Sequence, residues 1–213
     1  MNSAEMTEIL IKRSGKICTV SDLKKIFEKR YSQIRSRLIN GRWIKPLLLF
    51  DGIYYVCDPE ERAYKSYKLS RFEVLVAVLN KSLKNWYFGR ITALHHLNGT
   101  QQASSAYYVI NNKYSMKIKS KFFGEIVFTK ISVVNTYGLI KIRYGNLEYF
   151  LSSMERTLTD YLYLYNSGAI KKEYILKLFK ENKYSRKKLQ KTIVKCYPKA
   201  SAIKMFSVIG EIK

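Results

Sequence analysis

Apolar residues recur at helical spacing in three short segments at the start of the chain. The pattern predicts helices over residues 5–13, 22–28 and 32–39. Thr19 or Ser21 is expected to cap the second helix, because a hydroxyl can accept the free backbone N–H groups of a first turn. Gly15 and Gly41 are expected to end the first and third helices. The inward-facing residues of these helices are Met6, Ile9 and Leu10, then Leu23, Ile26 and Phe27, then Ile34 and Leu38.

After residue 42 the pattern changes from helical to extended. Residues 43–50 are predicted to be one strand, and residues 53–56 are predicted to be its returning partner. Asp51-Gly52 between them is a strong signal for a tight hairpin turn. Three short helices followed by a hairpin are typical of a winged helix-turn-helix, so residues 1–58 are predicted to form that domain.

The rest of the chain predicts a larger α+β domain over residues 66–213. Two helices open it, at about residues 70–80 and 89–97, and Ser70 with Glu73 is expected to form a capping box. A small, mostly antiparallel sheet follows, and a basic helical part over residues 171–213 ends the domain. The predicted strands are 106–110, 125–132, 139–144 and 147–151, with Gly145-Asn146 as a turn, and the predicted later helices are 152–165, 171–180, 185–196 and 199–209. Ser152 with Glu155 is expected to cap the first of these helices.

The charge of the chain favours polyanionic partners. It carries 39 Lys and Arg against 16 Asp and Glu, a net charge of +23. Nucleic acid is the first candidate, because neutralising phosphates releases counterions. An anionic membrane is a weaker candidate without an amphipathic anchor or a lipidation motif, and a merely lysine-rich solvated surface is the plain alternative. The most basic part is residues 171–213, with 13 basic and 3 acidic residues. Its removal is expected to lower DNA affinity and the salt dependence of binding.

The second helix of a helix-turn-helix enters the major groove of DNA, and here that helix begins near Tyr31. If Ile34 and Leu38 face the core, the outward side chains are of the kinds that read base edges: Arg for guanine, Gln for adenine and Ser for either. The predicted reading residues are Ser32, Gln33, Arg35, Ser36 and Arg37. Arg30 and Tyr31 are expected to contact phosphates, and Arg42 and Lys45 are expected to contact the minor groove or backbone. The alternative is that Arg35 and Arg37 only line a solvated helix face.

No catalytic or metal-binding pattern stands out in the sequence. Cys18, Cys57 and Cys196 lack the spacing of a zinc site, and no phosphate-binding loop or nucleophile motif is present. His95 and His96 are neighbours on a predicted helix, so only one can face a given site, and a core or hydrogen-bonding role is expected. We predict no enzyme, no cofactor, no metal and no membrane-spanning segment. A reduced, cytoplasmic location is expected.

Two further segments resemble a known family. The segment Ser152-Ser-Met-Glu-Arg-Thr-Leu-Thr-Asp160 is similar to the S-x-ERTLxD signature of AbiEi-type antitoxins. The segment from Tyr87 to Asn98, with its aromatic residues, Thr-Ala-Leu string and histidines, resembles the start of the second domain of that family. The stretch from Thr19 to Val56 resembles its winged helix-turn-helix.

The resemblance implies a repressor of its own two-gene operon. It also implies an antitoxin in a type IV phage-defence system that neutralises a nucleotidyltransferase-like toxin without a stable complex. The motif residues Glu155, Arg156, Thr157 and Asp160 are then candidate functional residues. A purely structural role is the main alternative for them, because Arg156 and Asp160 stand at i,i+4 on one helix and can pair.

Other functions remain open at this point. The chain could be a stand-alone regulator without a toxin, a module that docks an acidic partner through residues 70–213, or an enzyme acting on nucleic acid. The expected DNA partner is a double-stranded operator with an inverted repeat, and the expected state is a monomer or a weak dimer.

Overall fold

The computed structural model describes residues 1–100, 105–131 and 135–211 of the chain. It is a mixed α+β protein that divides into two compact units, Met1–Ser82 and Leu83–Lys213. The unit boundary places the helix at residues 71–82 with the first unit, whereas the sequence grouped it with the second domain. Lys81 near its end forms an ion pair with Asp22 of the first unit at 3.2 Å.

Helices dominate the first unit, and a small sheet holds them together. Its elements are α1 (Ser3–Ser14), β1 (Ile17–Thr19), α2 (Val20–Phe27), a 3₁₀ turn (Glu28–Arg30), α3 (Tyr31–Asn40), β2 (Ile44–Pro46), β3 (Ile53–Val56), α4 (Pro59–Tyr64) and α5 (Arg71–Ser82). The order across the sheet is β1-β3-β2, with both pairs antiparallel. Ile17 lies opposite Tyr55, and Ile44 lies opposite Val56.

The core of this unit is formed where the three predicted helices pack on β3. Leu10, Leu23, Leu38 and Val56 have no exposed surface, and the three leucines were placed inward by their spacing. Ile9 was also predicted to face inward, but it is only half-buried and lies outside this cluster. Burying a leucine side chain contributes roughly 1.5–3 kcal/mol, so this small cluster fixes how the helices sit on the strands. The first three helices therefore follow the predicted pattern closely.

The strand predictions for the first unit need correction. β1 was missed, and the strand predicted over residues 43–50 is only Ile44–Pro46. Residues 47–52 instead form a folded loop, in which Leu47 donates to the carbonyl of Ile53 and Leu49 donates to that of Leu47. Gly52, with φ of 75°, turns the chain back into β3.

The second unit is built on one six-stranded sheet. Its elements are β4 (Trp86–Phe88), α6 (Arg90–His96), β5 (Ala106–Asn111), β6 (Met116–Ser120), β7 (Gly124–Lys130), β8 (Leu139–Tyr144), β9 (Leu147–Ser152), α7 (Met154–Asn166), α8 (Lys172–Glu181), α9 (Arg186–Cys196) and α10 (Lys199–Glu211). The strand order is β6-β7-β5-β4-β9-β8. The β5–β7 and β4–β9 pairs are parallel, and the other three pairs are antiparallel.

This sheet is larger than predicted, because β4 and β6 were not foreseen. The turn at Gly145-Asn146 joins β8 to β9 as expected, since Gly145 adopts a φ of 57°. The cap of α7 differs from the prediction: Ser153 rather than Ser152 accepts the hydrogen bond from the first turn. Residue 132, at the end of one predicted strand, and residues 212–213 of the predicted basic part lie outside the described residues.

The basic C-terminal helices are part of the core of the second unit. Ile175, Phe179, Leu189, Ile193 and Met205 are buried in one cluster with Leu158 and Leu162 of α7. Removal of residues 171–213 would therefore expose this core and unfold the unit, so truncation cannot measure the contribution of the basic residues to binding.

All three cysteines are buried and free of disulfide bonds. Burial raises the pKa of the Cys18 thiol to about 12, and it also raises the pKa values of Cys57 and Cys196. In the part of the chain that the structure describes, no helix is long and apolar enough to span a bilayer.

Candidate nucleic-acid interface

Helix α3 is held in place by a capped neighbour and a tight turn. The side chain of Thr19 accepts the backbone N–H of Asp22 at 3.1 Å, and the carboxylate of Asp22 accepts the backbone N–H of Thr19 at 2.8 Å. This capping box fixes the start of α2. Glu28 then adopts a positive φ of 48°, which redirects the chain through the 3₁₀ turn into α3. The fixed helix α2 and the turn after it therefore set the direction of α3.

The outer face of α3 is polar and open to solvent. Leu38 is completely buried and Ile34 packs against the core, so the opposite side of the helix faces outward. Ser32, Gln33, Ser36 and Arg37 are exposed, as predicted from the spacing. Arg30, which directly precedes the helix, is also exposed, and Tyr31 is half-buried with the Lys24 ammonium 5.1 Å from its ring centre.

Arg35 differs from the other residues of this face. Its Nε donates a 2.6 Å hydrogen bond to the hydroxyl of Tyr54 on β3, and its guanidinium lies 5.4 Å from the centre of that ring. The side chain is half-buried, so the expectation of a freely protruding Arg35 has to be corrected. Arg35 therefore faces β3, and its contacts with Tyr54 hold the guanidinium in one orientation.

A shallow concave surface lies beside α3. It is about 420 Å³ in volume, and its cationic lining consists of Arg30 and Arg37, with Gln33 between them in sequence. Its floor is apolar and includes Phe27 and Ile34. Neither arginine has a carboxylate partner among the described residues. Arg30 at the start of α3 and Arg37 in its last turn, both without a carboxylate partner among the described residues, can bind phosphate or guanine edges.

Arg42 and Lys45 stand in different environments. Arg42 is exposed and has a φ of 58°, just after the end of α3. Lys45 is half-buried, with its ammonium 4.3 Å from the ring centre of Tyr67, which restrains it. The β2–β3 loop, residues 47–52, carries Asp51 and no basic residue. The positive charge near this hairpin therefore comes from Arg42, just before β2, and Lys45, within it, and not from the loop.

Sequence reasoning missed Arg62 on α4. Its Nε donates a 2.8 Å hydrogen bond to the carbonyl of Gly41, and its guanidinium lies 4.5 Å from the Trp43 ring. Arg62 is exposed and stands next to the turn that carries Arg42. The start of α4 had a signal in the sequence, since Asp58 and Glu61 form a capping box with Pro59 in the first turn. The contact with Gly41 had none, because it joins residues 21 positions apart.

A buried carboxylate anchors α4. Glu61 has no exposed surface, and its carboxylate accepts hydrogen bonds from the Lys16 ammonium, the Tyr55 hydroxyl and the backbone N–H of Lys68. Burial alone would raise the pKa of Glu61, but these donors lower it below its ordinary value. Asp58 caps the same helix and pairs with Lys16 at 2.8 Å. This network positions the helix that bears Arg62.

Three of the four motif residues of the second unit, Arg156, Thr157 and Asp160, lie in its interior. Arg156 and Asp160 are buried and paired, with 3.0 Å between Nε and Oδ1. The hydroxyls of Tyr87 and Tyr197 donate to the Asp160 carboxylate at 2.8 and 2.6 Å. Burial alone would lower the pKa of Arg156, but the Asp160 carboxylate raises it above the ordinary value. Both charges are thus matched inside the unit.

The other two motif residues also make internal contacts. Thr157 is buried, and its hydroxyl lies 2.6 Å from that of Ser152. Glu155 is half-buried, and its carboxylate accepts the backbone N–H of Ser185, the N-cap of α9, at 3.1 Å. These contacts tie α7 to β9 and α9, as expected of residues with a structural role.

His95 and His96 do not lie in the core. Both are exposed at the end of α6, with their ring centres 6.4 Å apart, so of the two expected roles, core or hydrogen-bonding, the core role was wrong. Although His96 is exposed as a residue, part of it is desolvated. This partial desolvation, together with the neighbouring His95, lowers the pKa of His96. No group of three or more His, Cys, Asp and Glu side chains that could hold a metal ion occurs within residues 1–100, 105–131 and 135–211.

No protein-family model matches the chain, and no curated protein matches it in sequence.

Proposed function

We propose that residues 1–58 form a winged helix-turn-helix and that the chain is a transcriptional repressor binding double-stranded DNA in a sequence-specific manner. The order of three helices and three strands, with β1-β3-β2 pairing, supports this fold. The observation that carries the function is the outer face of α3. It presents Gln33 and Arg37 to solvent on a helix whose opposite side is fixed in the core.

In the proposed complex, α3 lies in the major groove. Gln33 and Arg37 stand four residues apart, about one helical turn, so they can reach neighbouring base pairs, and Ser36 lies beside them. Arg30 and Tyr31 at the start of the helix contact phosphates, and Arg42, Lys45 and Arg62 do so at its far end. Arg35 donates a hydrogen bond to Tyr54, and this bond holds its guanidinium beside the helix.

The test is binding to the DNA upstream of the gene for this chain. Fluorescence anisotropy would compare that fragment with random DNA of equal length, for the original chain and for Arg37→Ala. We expect the substitution to cost about 1–3 kcal/mol on the operator and little on random DNA. Arg13→Ala is the matched control, because Arg13 is also exposed in the first unit but lies on α1.

Two results would contradict the proposal. Equal affinity of the original chain for both fragments would exclude sequence-specific binding. Equal loss for Arg37→Ala and Arg13→Ala would mean that the arginine acts only through its charge.

We also propose the antitoxin role that the resemblance to AbiEi-type proteins implies. Its support is the motif at residues 152–160 and not a surface, because Arg156, Thr157 and Asp160 are buried. A neutralising contact would therefore use other, exposed residues. The test is coexpression with a nucleotidyltransferase-like protein encoded beside the gene. Restored growth supports the role, and unrelieved toxicity, or the lack of such a neighbouring gene, counts against it.

A second candidate function, docking of an acidic partner, is favoured by the outer face of α9. Lys187, Lys191 and Lys195 are exposed at four-residue spacing, so they line one side of the helix. Replacing all three by Gln removes the charge without touching the core residues Leu189 and Ile193. Equal loss of affinity for operator and random DNA would identify a second DNA contact. Loss of a nuclease-resistant partner in pull-downs would identify protein docking.

A further inference from the structure

A cavity of about 560 Å³ opens in the second unit, on the side where α6, α7 and α8 approach the ends of β5 and β7. Its volume is within the range of roughly 300–1,000 Å³ typical of small-molecule sites. Two cationic side chains, Arg90 and Lys171, and three tyrosines line it. The tyrosines are Tyr108, Tyr161 and Tyr174.

Arg90 is held in an unusual way. Its guanidinium lies 4.5 Å from the ring centre of Tyr108 and 5.7 Å from that of Tyr161. Its Nε–H is buried and donates no hydrogen bond to any atom of the described residues. No carboxylate forms an ion pair with Arg90 in the described part of the chain. Its positive charge is therefore oriented by aromatic rings but left without a counterion.

The backbone of Arg90 is strained as well. Its φ is 54°, a left-handed conformation that costs an arginine free energy and that glycine would adopt freely. A strained arginine where glycine would be unstrained points to a use of the arginine side chain. The side chain lines the cavity, so that use lies there.

The one carboxylate in the cavity lining does not supply the missing negative charge. Glu125 forms an ion pair with Lys117 on the neighbouring strand at 2.8 Å. Lys171 is exposed at the start of α8 and adds a second positive charge. The cavity is thus cationic, partly aromatic and large enough for a nucleotide.

We infer that this cavity binds a small phosphate-bearing ligand, up to the size of a nucleoside monophosphate. The phosphate would lie between Arg90 and Lys171, because a guanidinium and an ammonium provide charge-assisted hydrogen bonds to its oxygens. The rest of the ligand would lie against Tyr174, whose ring meets Tyr161 edge to face at 5.6 Å. All residues lining this cavity belong to the second unit, and the inference does not rest on the proposed DNA binding.

Isothermal titration of the full chain tests the inference with inorganic phosphate, AMP and uncharged adenosine. We expect saturable binding of AMP at one site, weaker binding of phosphate and none of adenosine. Arg90→Gly should weaken AMP binding at least about tenfold, because it removes charge-assisted hydrogen bonds. Lys171→Gln should weaken it by a smaller factor.

Controls separate a site from general attraction of anions. Lys180→Gln changes an exposed lysine of the same helix α8 that does not line the cavity, and it should leave AMP binding unchanged. Circular dichroism checks that Arg90→Gly is folded, which glycine's ease with positive φ favours. The inference is overturned if AMP and phosphate show no saturable binding, or if Arg90→Gly and Lys180→Gln have equal effects. It is likewise overturned if adenosine binds as tightly as AMP.

Discussion

Arg37 of the first unit and Arg156 of the second are used in opposite ways. On α3, Arg37 is exposed and has no carboxylate partner among the described residues. On α7, Arg156 is completely buried and bonded to Asp160, Tyr87 and Asn135. The first arrangement leaves binding capacity for a partner, whereas the second has used it inside the protein. The comparison shows that a motif rich in charged residues indicates a binding surface only if the fold leaves those charges unmatched.

The largest effect is expected from breaking the buried pair. Arg156→Leu leaves the Asp160 carboxylate buried without its cation, and removing one partner of a buried pair costs about 3–5 kcal/mol. Urea unfolding followed by circular dichroism measures this loss. Adding Asp160→Leu should recover part of it, since no unmatched charge then remains.

The exposed arginine provides the control for that experiment. Arg37→Ala should change the free energy of unfolding by less than about 0.5 kcal/mol, as surface substitutions usually do. If Arg156→Leu is as mild as Arg37→Ala, the contrast between the two arginines is wrong.

A smaller effect is expected in the first unit at low pH. Hydrogen bonds and cations hold the pKa values of Glu61 and Asp58 below their ordinary values, although burial opposes this. A depressed folded-state pKa stabilises the fold fully above the unfolded-state pKa of about 4 and loses that contribution as the pH falls further. The first unit should therefore lose stability as the pH is lowered from about 5 towards 2.

Glu61→Gln tests whether this carboxylate is responsible. The substitution should cost about 2 kcal/mol at pH 7, since hydrogen bonds to a charged group are lost, and it should flatten the acid transition. Denaturant unfolding at several pH values measures both effects. Glu8→Gln, on the exposed face of α1, is the matched control. An unchanged slope with pH in Glu61→Gln would show that other carboxylates dominate.

The smallest effect concerns Arg35, which is half-buried and so stands between the exposed Arg37 and the buried Arg156. Tyr54→Phe removes the hydroxyl that accepts from Arg35 while keeping the ring. The loss of one such bond should cost about 0.5–1.5 kcal/mol of stability. If Tyr54 positions Arg35 for DNA, operator affinity should also fall while affinity for random DNA stays constant. If Arg35→Ala and Tyr54→Phe both leave operator affinity unchanged, Arg35 has only a structural role.

Most helices were predicted well because their signals are local, although α4 (Pro59–Tyr64) was missed. Period, caps and stops lie within one segment, as with Thr19 before α2 and Ser70 with Glu73 before α5. The short strands β1 and β4 were missed because each has three residues and forms by pairing with distant chain. Trp86, for example, pairs with Asn111, and no alternation marks it since all three residues of β4 are buried.

The candidate site was predicted only in part for the same reason. Spacing on α3 was enough to place Gln33 and Arg37 outward, but it gave no sign of Tyr54 taking up Arg35 from 19 residues away. Likewise, the pairing of Arg156 with Asp160 was foreseen as a local i,i+4 contact. Its tyrosine partners come from β4 and from the residue after α9, and only the fold brings them together.

The buried cysteines give this protein its own probes of conformational opening. A thiol must leave the interior and ionise before it can react with an alkylating reagent. Cys18 and Cys57 therefore report transient opening of the first unit, and Cys196 reports that of the second. Labelling followed by mass spectrometry could then rank how often each half of the chain opens, without introducing a single foreign residue.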